Sequence, residues 1–208
     1  QPNPYPGLYG RAFRRVNARV CDAGMRIIGG TWRSRRLLRP ETDSTRPMPD
    51  RVKQAIFDML ASRYDSPGAL PPLLVADVFA GGGSMGLEAL SRGVAFCSFF
   101  ERDRQALEAL RGNIESLGAG SESRVVAGDA WRASMATPTE LVREGILAPA
   151  DLAPAALIFL DPPYRDCEDT TECGEVRRFL RQHGQLEPTP VSVGSTEHFL
   201  QLGHATRL

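Results

Sequence analysis

The run Leu73-Leu74-Val75-Ala76-Asp77-Val78-Phe79-Ala80 is apolar but for one acid, and it passes directly into Gly81-Gly82-Gly83-Ser84-Met85-Gly86. A helical stretch, Leu87-Glu88-Ala89-Leu90-Ser91-Arg92, follows. A strand covered on both faces reads as a continuous apolar run rather than an alternation, so this is a buried parallel strand. With the glycine turn and the helix it forms the opening unit of a Rossmann-like α/β sheet. The glycines let the chain turn sharply and let a ligand come close to the backbone. Gly81, Gly83 and Gly86 match G-x-G-x-x-G, which keeps a dinucleotide site open. A Walker-type phosphate loop is excluded, because no Lys-Ser/Thr follows.

The second strand, Ala95-Phe96-Cys97-Ser98-Phe99-Phe100, ends in Glu101. An acid at that point is placed to accept both hydroxyls of a ribose, a feature shared by NAD and S-adenosylmethionine sites. Asp77 tips the balance. A carboxylate just before the glycines suits a ligand with an ammonium group and would be badly placed against a pyrophosphate. A third unit, Arg124-Val125-Val126-Ala127, leads to Gly128-Asp129-Ala130.

Asp161-Pro162-Pro163-Tyr164 follows the apolar run Ala155-Ala156-Leu157-Ile158-Phe159-Leu160. Two prolines stiffen the backbone and fix φ, which holds the Asp161 carboxylate and the Pro162 carbonyl in one geometry. Both are acceptors, and neither proline has an N–H to donate. Tyr164 adds a flat ring. Two aimed acceptors beside a stacking face suit an amino group on a planar ring, such as the exocyclic amine of a nucleobase; a strand followed by a Pro-rich turn is the plainer alternative.

Taken in order, Asp77 to Gly83, Glu101, Gly128-Asp129-Ala130 and Asp161 to Tyr164 resemble the motifs of class I S-adenosylmethionine-dependent N-methyltransferases. Upstream, Met25-Arg26-Ile27-Ile28-Gly29-Gly30, Arg35-Arg36-Leu37, Thr45-Arg46-Pro47 and Asp50-Arg51-Val52-Lys53 narrow the resemblance to the bacterial 16S rRNA guanine-N2 methyltransferase family. It covers roughly residues 25–166 and implies methylation of the exocyclic N2 of one guanine. Asp161, Pro162 and Tyr164 would then be catalytic. Asp77, Phe79, Gly81, Gly83, Glu101 and Asp129 would line the cofactor site, Asp129 near the adenine. The partner would be 16S rRNA or an assembling small subunit. DNA adenine-N6 methylation is the runner-up, because the same tetrapeptide serves both amines. An NAD oxidoreductase and a catalytically idle RNA-binding protein are rivals of other classes.

The 208 residues carry no net charge, but the distribution is uneven. Residues 1–53 hold 12 Lys/Arg and 4 Asp/Glu, a net of +8, which leaves −8 on the remainder. A basic arm on an acidic body is a nucleic-acid footprint. Arg33, Arg35, Arg36 and Arg39 are expected to contact RNA. Arg46 and Arg51 either contact it or brace the site. Trp32 and Trp131 fit stacking on RNA and core packing equally. Of the 25 basic residues 24 are Arg, which nucleotide bias explains; bias does not explain clustering at one end.

Cys21, Cys97, Cys167 and Cys173 have no C-x-x-C spacing, and His183, His198 and His204 form no ligand pattern, so no metal is expected. A reducing cytoplasm fits, no apolar run approaches a membrane span, and a monomer is expected.

Residues 1–24 read as a disordered or extraneous leader, 25–66 as a basic hairpin and helix, and 67–208 as the methyltransferase domain. Within these, 25–39 forms a hairpin with Gly29-Gly30 at its bend. Asp50 caps a helix over 51–62 whose Val52, Ile56, Met59 and Leu60 share a face. Helices are also expected over 102–117, about 138–145 and about 170–183. Val191-Ser192-Val193 reads as one short strand. The antiparallel hairpin that normally closes this fold has no evident segment, so the C-terminal strands are expected to be incomplete.

Overall fold

The structure is a computed structural model that describes residues 25–40, 48–132, 138–145, 156–161, 189–192 and 199–202. Its centre is a six-stranded sheet in the order β3-β2-β1-β4-β6-β5. The strands are β1 (Leu74–Val78), β2 (Phe96–Glu101), β3 (Ser123–Ala127), β4 (Ala156–Leu160), β5 (Thr189–Ser192) and β6 (Phe199–Leu202). β1 pairs in parallel with both β2 and β4, and β2 with β3. β6 runs antiparallel to β4 and to β5.

Three of the four parallel strands, β1, β2 and β4, explain their own sequence. Val75, Cys97, Phe99, Leu157 and Phe159 point into one core, and Ala76, Val78, Phe100, Ile158 and Leu160 into another on the opposite face. Both faces are covered, so neither shows alternation with polar residues.

The helices are α1 (Asp50–Arg63), α2 (Ser84–Ser91), α3 (Arg104–Leu117) and α4 (Pro138–Arg143). α3 buries Ala106, Ala109, Leu110, Asn113, Ile114 and Leu117, a stripe at helical spacing. Asp103 caps its start by accepting from the Ala106 amide at 2.8 Å, and Gly118 ends it at φ 70°. α2 lies so close to β2 that a Cβ on Gly86 would collide with the Phe99 ring and approach Cys97 Sγ to 2.6 Å. Cys97 is a buried free thiol whose pKa burial pushes well up.

Three expectations change. Asp50 is not the cap of α1; Pro49 holds that position without a side-chain bond, and Asp50 sits in the first turn with its carboxylate 2.7 Å from Arg26 Nε. Met59 does not share the buried face of Ile56 and Leu60; it is exposed, and Phe57 and Ala61 take its place in the core. The closing hairpin does exist, as β5 and β6. Each of its strands has four residues, too few for a periodic pattern to stand out. β5 overlaps the short strand expected at 191–193 and includes Pro190, whose missing N–H is tolerated because β5 is the sheet edge.

The 25–39 hairpin shrinks to one bridge, Arg26↔Arg36, around a turn at 29–34. Within it the Ile27 amide donates to the Arg35 carbonyl at 2.9 Å, the Ser34 amide to the Ile27 carbonyl at 2.9 Å and the Leu37 amide to the Met25 carbonyl at 2.8 Å, while other backbone groups bond to the body of the protein. The Trp32 amide donates to Ser91 Oγ at 2.9 Å, Ser91 Oγ donates to the Gly29 carbonyl at 2.6 Å, and the Thr31 amide donates to the Ser91 carbonyl at 2.7 Å. Ile27 and Leu37 join the same core as α1, α2 and α3. Residues 1–24 and the expected helix at 170–183 lie outside the described residues.

Candidate cofactor and base site

Four acids stand at the carboxyl ends of the four parallel strands: Asp77 in β1, Glu101 at the end of β2, Asp129 two residues past β3, and Asp161 directly after β4. Register brings them together. Val78 is opposite Phe100 on one side and Leu160 on the other, so Glu101 and Asp161 flank the position of Phe79. β1 is also where the strand order reverses, the crevice in which open α/β sheets bind ligands.

The loop after β1 is held by carboxylates. The Gly81 amide donates to Glu101 Oε2 at 2.8 Å, while Oε1 accepts from the Arg102 and Asp103 amides, each at 2.8 Å. The Gly86 amide, third residue of α2, donates to Asp77 Oδ2 at 2.8 Å. α2 begins after Gly83, which has no side chain to cap it, so Asp77 supplies the missing acceptor from the strand below. Gly81 and Gly83 have φ of 54° and 82°, in the left-handed region that only glycine enters freely. A Cβ on Gly81 would meet nothing within 4 Å, so the backbone there faces open space.

Phe79 shares the left-handed region at φ 64°, a strained conformation for a residue with a side chain. Its ring packs edge-on against Trp131, with centroids 5.1 Å apart. Of the two roles open to Trp131, RNA stacking and packing, the structure shows packing. The same holds for Trp32, which is half-buried against the main core.

Asp77 is only 4% exposed. Burial pushes its carboxyl up to about 8; the Gly86 amide opposes this, and the charges of Asp161 and Glu101 reinforce it. The acid singled out for an ammonium partner thus lies beneath the loop. Asp161 is exposed. Pro162 and Tyr164 lie outside the described residues, as does Arg46.

Of the basic arm, Arg33, Arg36, Arg39 and Arg51 are exposed. Arg35 is exposed too, but its Nη2 donates to the Ser116 carbonyl at the end of α3, at 2.8 Å.

Sequence reading missed a buried charged cluster beside the loop. Lys53 and Glu88 are 1% and 0% exposed, with Nζ and Oε2 3.5 Å apart. Arg92 Nε donates to Glu88 Oε1 at 2.9 Å, and its guanidinium lies 4.7 Å above the Phe57 ring. Burial lowers the Lys53 pKa, and Glu88 works against that. Two signals were available: Lys53 is the single lysine of the chain, and Glu88 and Arg92 stand four apart on a helix. Asn113 was also missed, although its spacing put a polar residue on the apolar stripe of α3.

The family model described as Conserved hypothetical protein 95 matches residues 25–200. The chain belongs to this family. It is 36% identical over 143 residues to the Bacillus subtilis protein YlbH, covering 68% of each chain. It is 37% identical over 145 residues to ribosomal RNA small subunit methyltransferase D of Escherichia coli, covering 68% of this chain and 61% of that one. Among solved structures, Escherichia coli yhhF superposes with a TM-score of 0.53 at 27% identity, over 88% of this chain and 99% of that one. The Thermus thermophilus protein TTHA0928 does so with 0.53 at 28% identity, over 86% and 98%. The fold is the Rossmann-like class I methyltransferase sheet, and the cofactor of that class is S-adenosylmethionine. The residues present fit it: an open glycine backbone, an acid at the end of β2, and no lysine in the loop to demand a phosphate.

Proposed function

We propose that this chain transfers a methyl group from S-adenosylmethionine to the exocyclic N2 amine of a guanine in small-subunit (16S) rRNA. The observation that carries the proposal is the convergence of Asp77, Glu101, Asp129 and Asp161 at the carboxyl ends of the parallel strands around a glycine loop with open space above Gly81. The relative named ribosomal RNA small subunit methyltransferase D supports an rRNA substrate, and the excess of arginine in the first 53 residues agrees with it.

In this reading Gly81, Gly83 and the ring of Phe79 line the cofactor site, Glu101 accepts the ribose hydroxyls, and Asp129 lies near the adenine. Asp77 holds the loop from below and offers charge to the ligand ammonium. The bound cofactor supplies a methyl already activated on a positive sulfur, so the protein needs little acid–base chemistry. Asp161 and the Pro162 carbonyl accept hydrogen bonds from the guanine amine, which favours a pyramidal nitrogen with its lone pair available. In-line positioning then supplies much of the rate. The base must leave its stack to reach Asp161, and Tyr164 replaces the lost stacking. Arg33, Arg36 and Arg39 hold phosphates. Residues 25–66 serve as the RNA-holding part and 67–208 as the methyltransferase, working as a monomer in the cytoplasm. No helix among the described residues is long and apolar enough to cross a membrane.

The test is methyl transfer from labelled cofactor to 30S particles, naked 16S rRNA and DNA, with the product nucleoside identified. N2-methylguanosine in either RNA sample supports the reading. N6-methyladenine in DNA, or no transfer from a protein that still binds RNA, overturns it.

A further inference from the structure

The chain has 24 arginines and one lysine, and that lysine is among the most deeply buried charges of the described residues. Lys53 Nζ donates to the Arg26 carbonyl at 2.5 Å and to Ser84 Oγ at 3.2 Å, and it faces Glu88 at 3.5 Å. These partners surround one point. A compact ammonium with three rotatable donors matches that arrangement, and a planar guanidinium fork does not.

Each partner belongs to a different part of the site. Arg26 lies in the segment that carries Arg33, Arg36 and Arg39. Ser84 opens α2, immediately after Gly83 of the cofactor loop. Glu88, one turn further on, also accepts the Ile28 amide at 2.7 Å. A second tie joins the same two parts independently. Asn113 takes the Leu38 amide on Oδ1 at 2.6 Å, and its Nδ2 donates to the Leu38 carbonyl at 3.0 Å and to the Gly82 carbonyl at 2.8 Å. Gly82 itself leaves no room for a side chain: a Cβ there would lie 2.6 Å from Met25 Cε and 3.1 Å from the Leu38 carbonyl oxygen. The glycine loop is therefore tied to the basic segment at Gly82 through Asn113 and at Ser84 through Lys53.

From this we infer that Lys53 is a positioning residue that couples the two ligands: occupation of the basic segment 25–40 by rRNA sets the cofactor loop through Lys53, and cofactor on the loop favours rRNA binding in return. The inference rests on the reading that this segment holds rRNA and this loop holds S-adenosylmethionine. Coupling between two binding sites is reciprocal, so one measurement in either direction reports it.

The experiment measures the affinity of the full chain for fluorescently labelled 16S rRNA with and without saturating S-adenosylhomocysteine. In the wild type the cofactor product should tighten RNA binding at least about fivefold, the lower end of measured couplings. Lys53→Met removes the ammonium at similar volume and should bring that factor below about two. Lys53→Arg should not restore it. Because Lys53→Met leaves Glu88 with a single cation, Ser84→Ala serves as the milder variant; it deletes one hydroxyl at a half-exposed position and should at least halve the factor. A wild-type factor near one overturns the inference. So does a wild-type factor retained in Ser84→Ala and in folded Lys53→Met, since a merely structural lysine would lower the unfolding temperature and leave coupling alone. Failure of the enzymatic reading shows separately, as a wild type that binds neither labelled RNA nor S-adenosylhomocysteine, or transfers no methyl.

Discussion

The Asp77 carboxylate accepts the Gly86 amide at 2.8 Å and so closes the turn from β1 into α2. One buried acid thereby does what a helix cap normally does, and it sits directly below the loop that faces open space. Its position makes it sensitive to pH.

Burial holds the folded Asp77 pKa at about 8, far above the ordinary carboxylate range, with Asp161 and Glu101 adding like charge. The folded state therefore binds a proton that the unfolded chain has already released. This contribution is complete at low pH and is lost as pH rises, by up to about 1.4 kcal/mol per unit between roughly pH 4 and 8. Asp77→Asn keeps an acceptor for Gly86 and should flatten that slope. Urea unfolding of both proteins at pH 5 and pH 8 checks it; equal pH dependence in the two would contradict the assignment. A cationic cofactor above the loop should also expel the proton. Calorimetry near pH 7 in buffers of different ionisation enthalpy should show proton release for the wild type and less for Asp77→Asn.

Glu101 carries two loads, since its carboxylate takes three backbone amides in addition to any ribose. Glu101→Ala should weaken S-adenosylhomocysteine binding by about 1.5–3 kcal/mol, the range for losing charge-assisted hydrogen bonds. Glu101→Gln, which keeps one carbonyl acceptor, should lose less. Unchanged affinity in the alanine variant, measured by calorimetry, would remove Glu101 from the cofactor site.

Asp161 is exposed directly after β4, where the proposed reaction places the base. Asp161→Ala should leave cofactor affinity nearly intact and slow methyl transfer by at least about a hundredfold, the scale of losing one aimed polar group in a closed site. A variant that methylates its RNA at the wild-type rate would show that amine positioning lies elsewhere.

Much of this arrangement was legible because the parallel strands are short apolar runs ending in an acid or a glycine. β1, β2, β3 and β4 lie within a few residues of where the pattern put them, and the acids at their ends follow from the pattern. What stayed hidden was whatever depends on contacts distant in sequence. The partnership of Lys53 with Glu88 spans 35 positions; the sequence marks each residue separately but not that they meet. The spacing of Asn113 marks it as a polar residue on an apolar stripe, but its partners Leu38 and Gly82 are distant in sequence. Segment 25–40 has the local pattern of a self-contained hairpin, yet many of its backbone bonds go to α2 and α3. Of the closing strands, β5 overlaps the short strand read at 191–193, whereas β6 was missed because four residues are too few for a periodic pattern to stand out.

The arginines of the basic segment should separate into two kinds. Arg33, Arg36 and Arg39 are exposed, whereas Arg35 is tied to the Ser116 carbonyl. Replacing Arg33, Arg36 and Arg39 with Ala should weaken binding to 16S rRNA and flatten its dependence on salt by roughly one unit of slope per lost phosphate contact. Arg35→Ala should change the salt slope less and should lower stability by about 1 kcal/mol, the scale of one lost hydrogen bond. S-adenosylhomocysteine affinity in the absence of RNA should stay close to wild type in the triple variant, because the loop is held by Lys53 and Asn113 rather than by these side chains. A fluorescence titration at several salt concentrations is the measurement. A triple variant with the wild-type affinity and slope would show that these guanidinium groups are only a solvated surface, and the RNA grip would then have to lie outside segment 25–40.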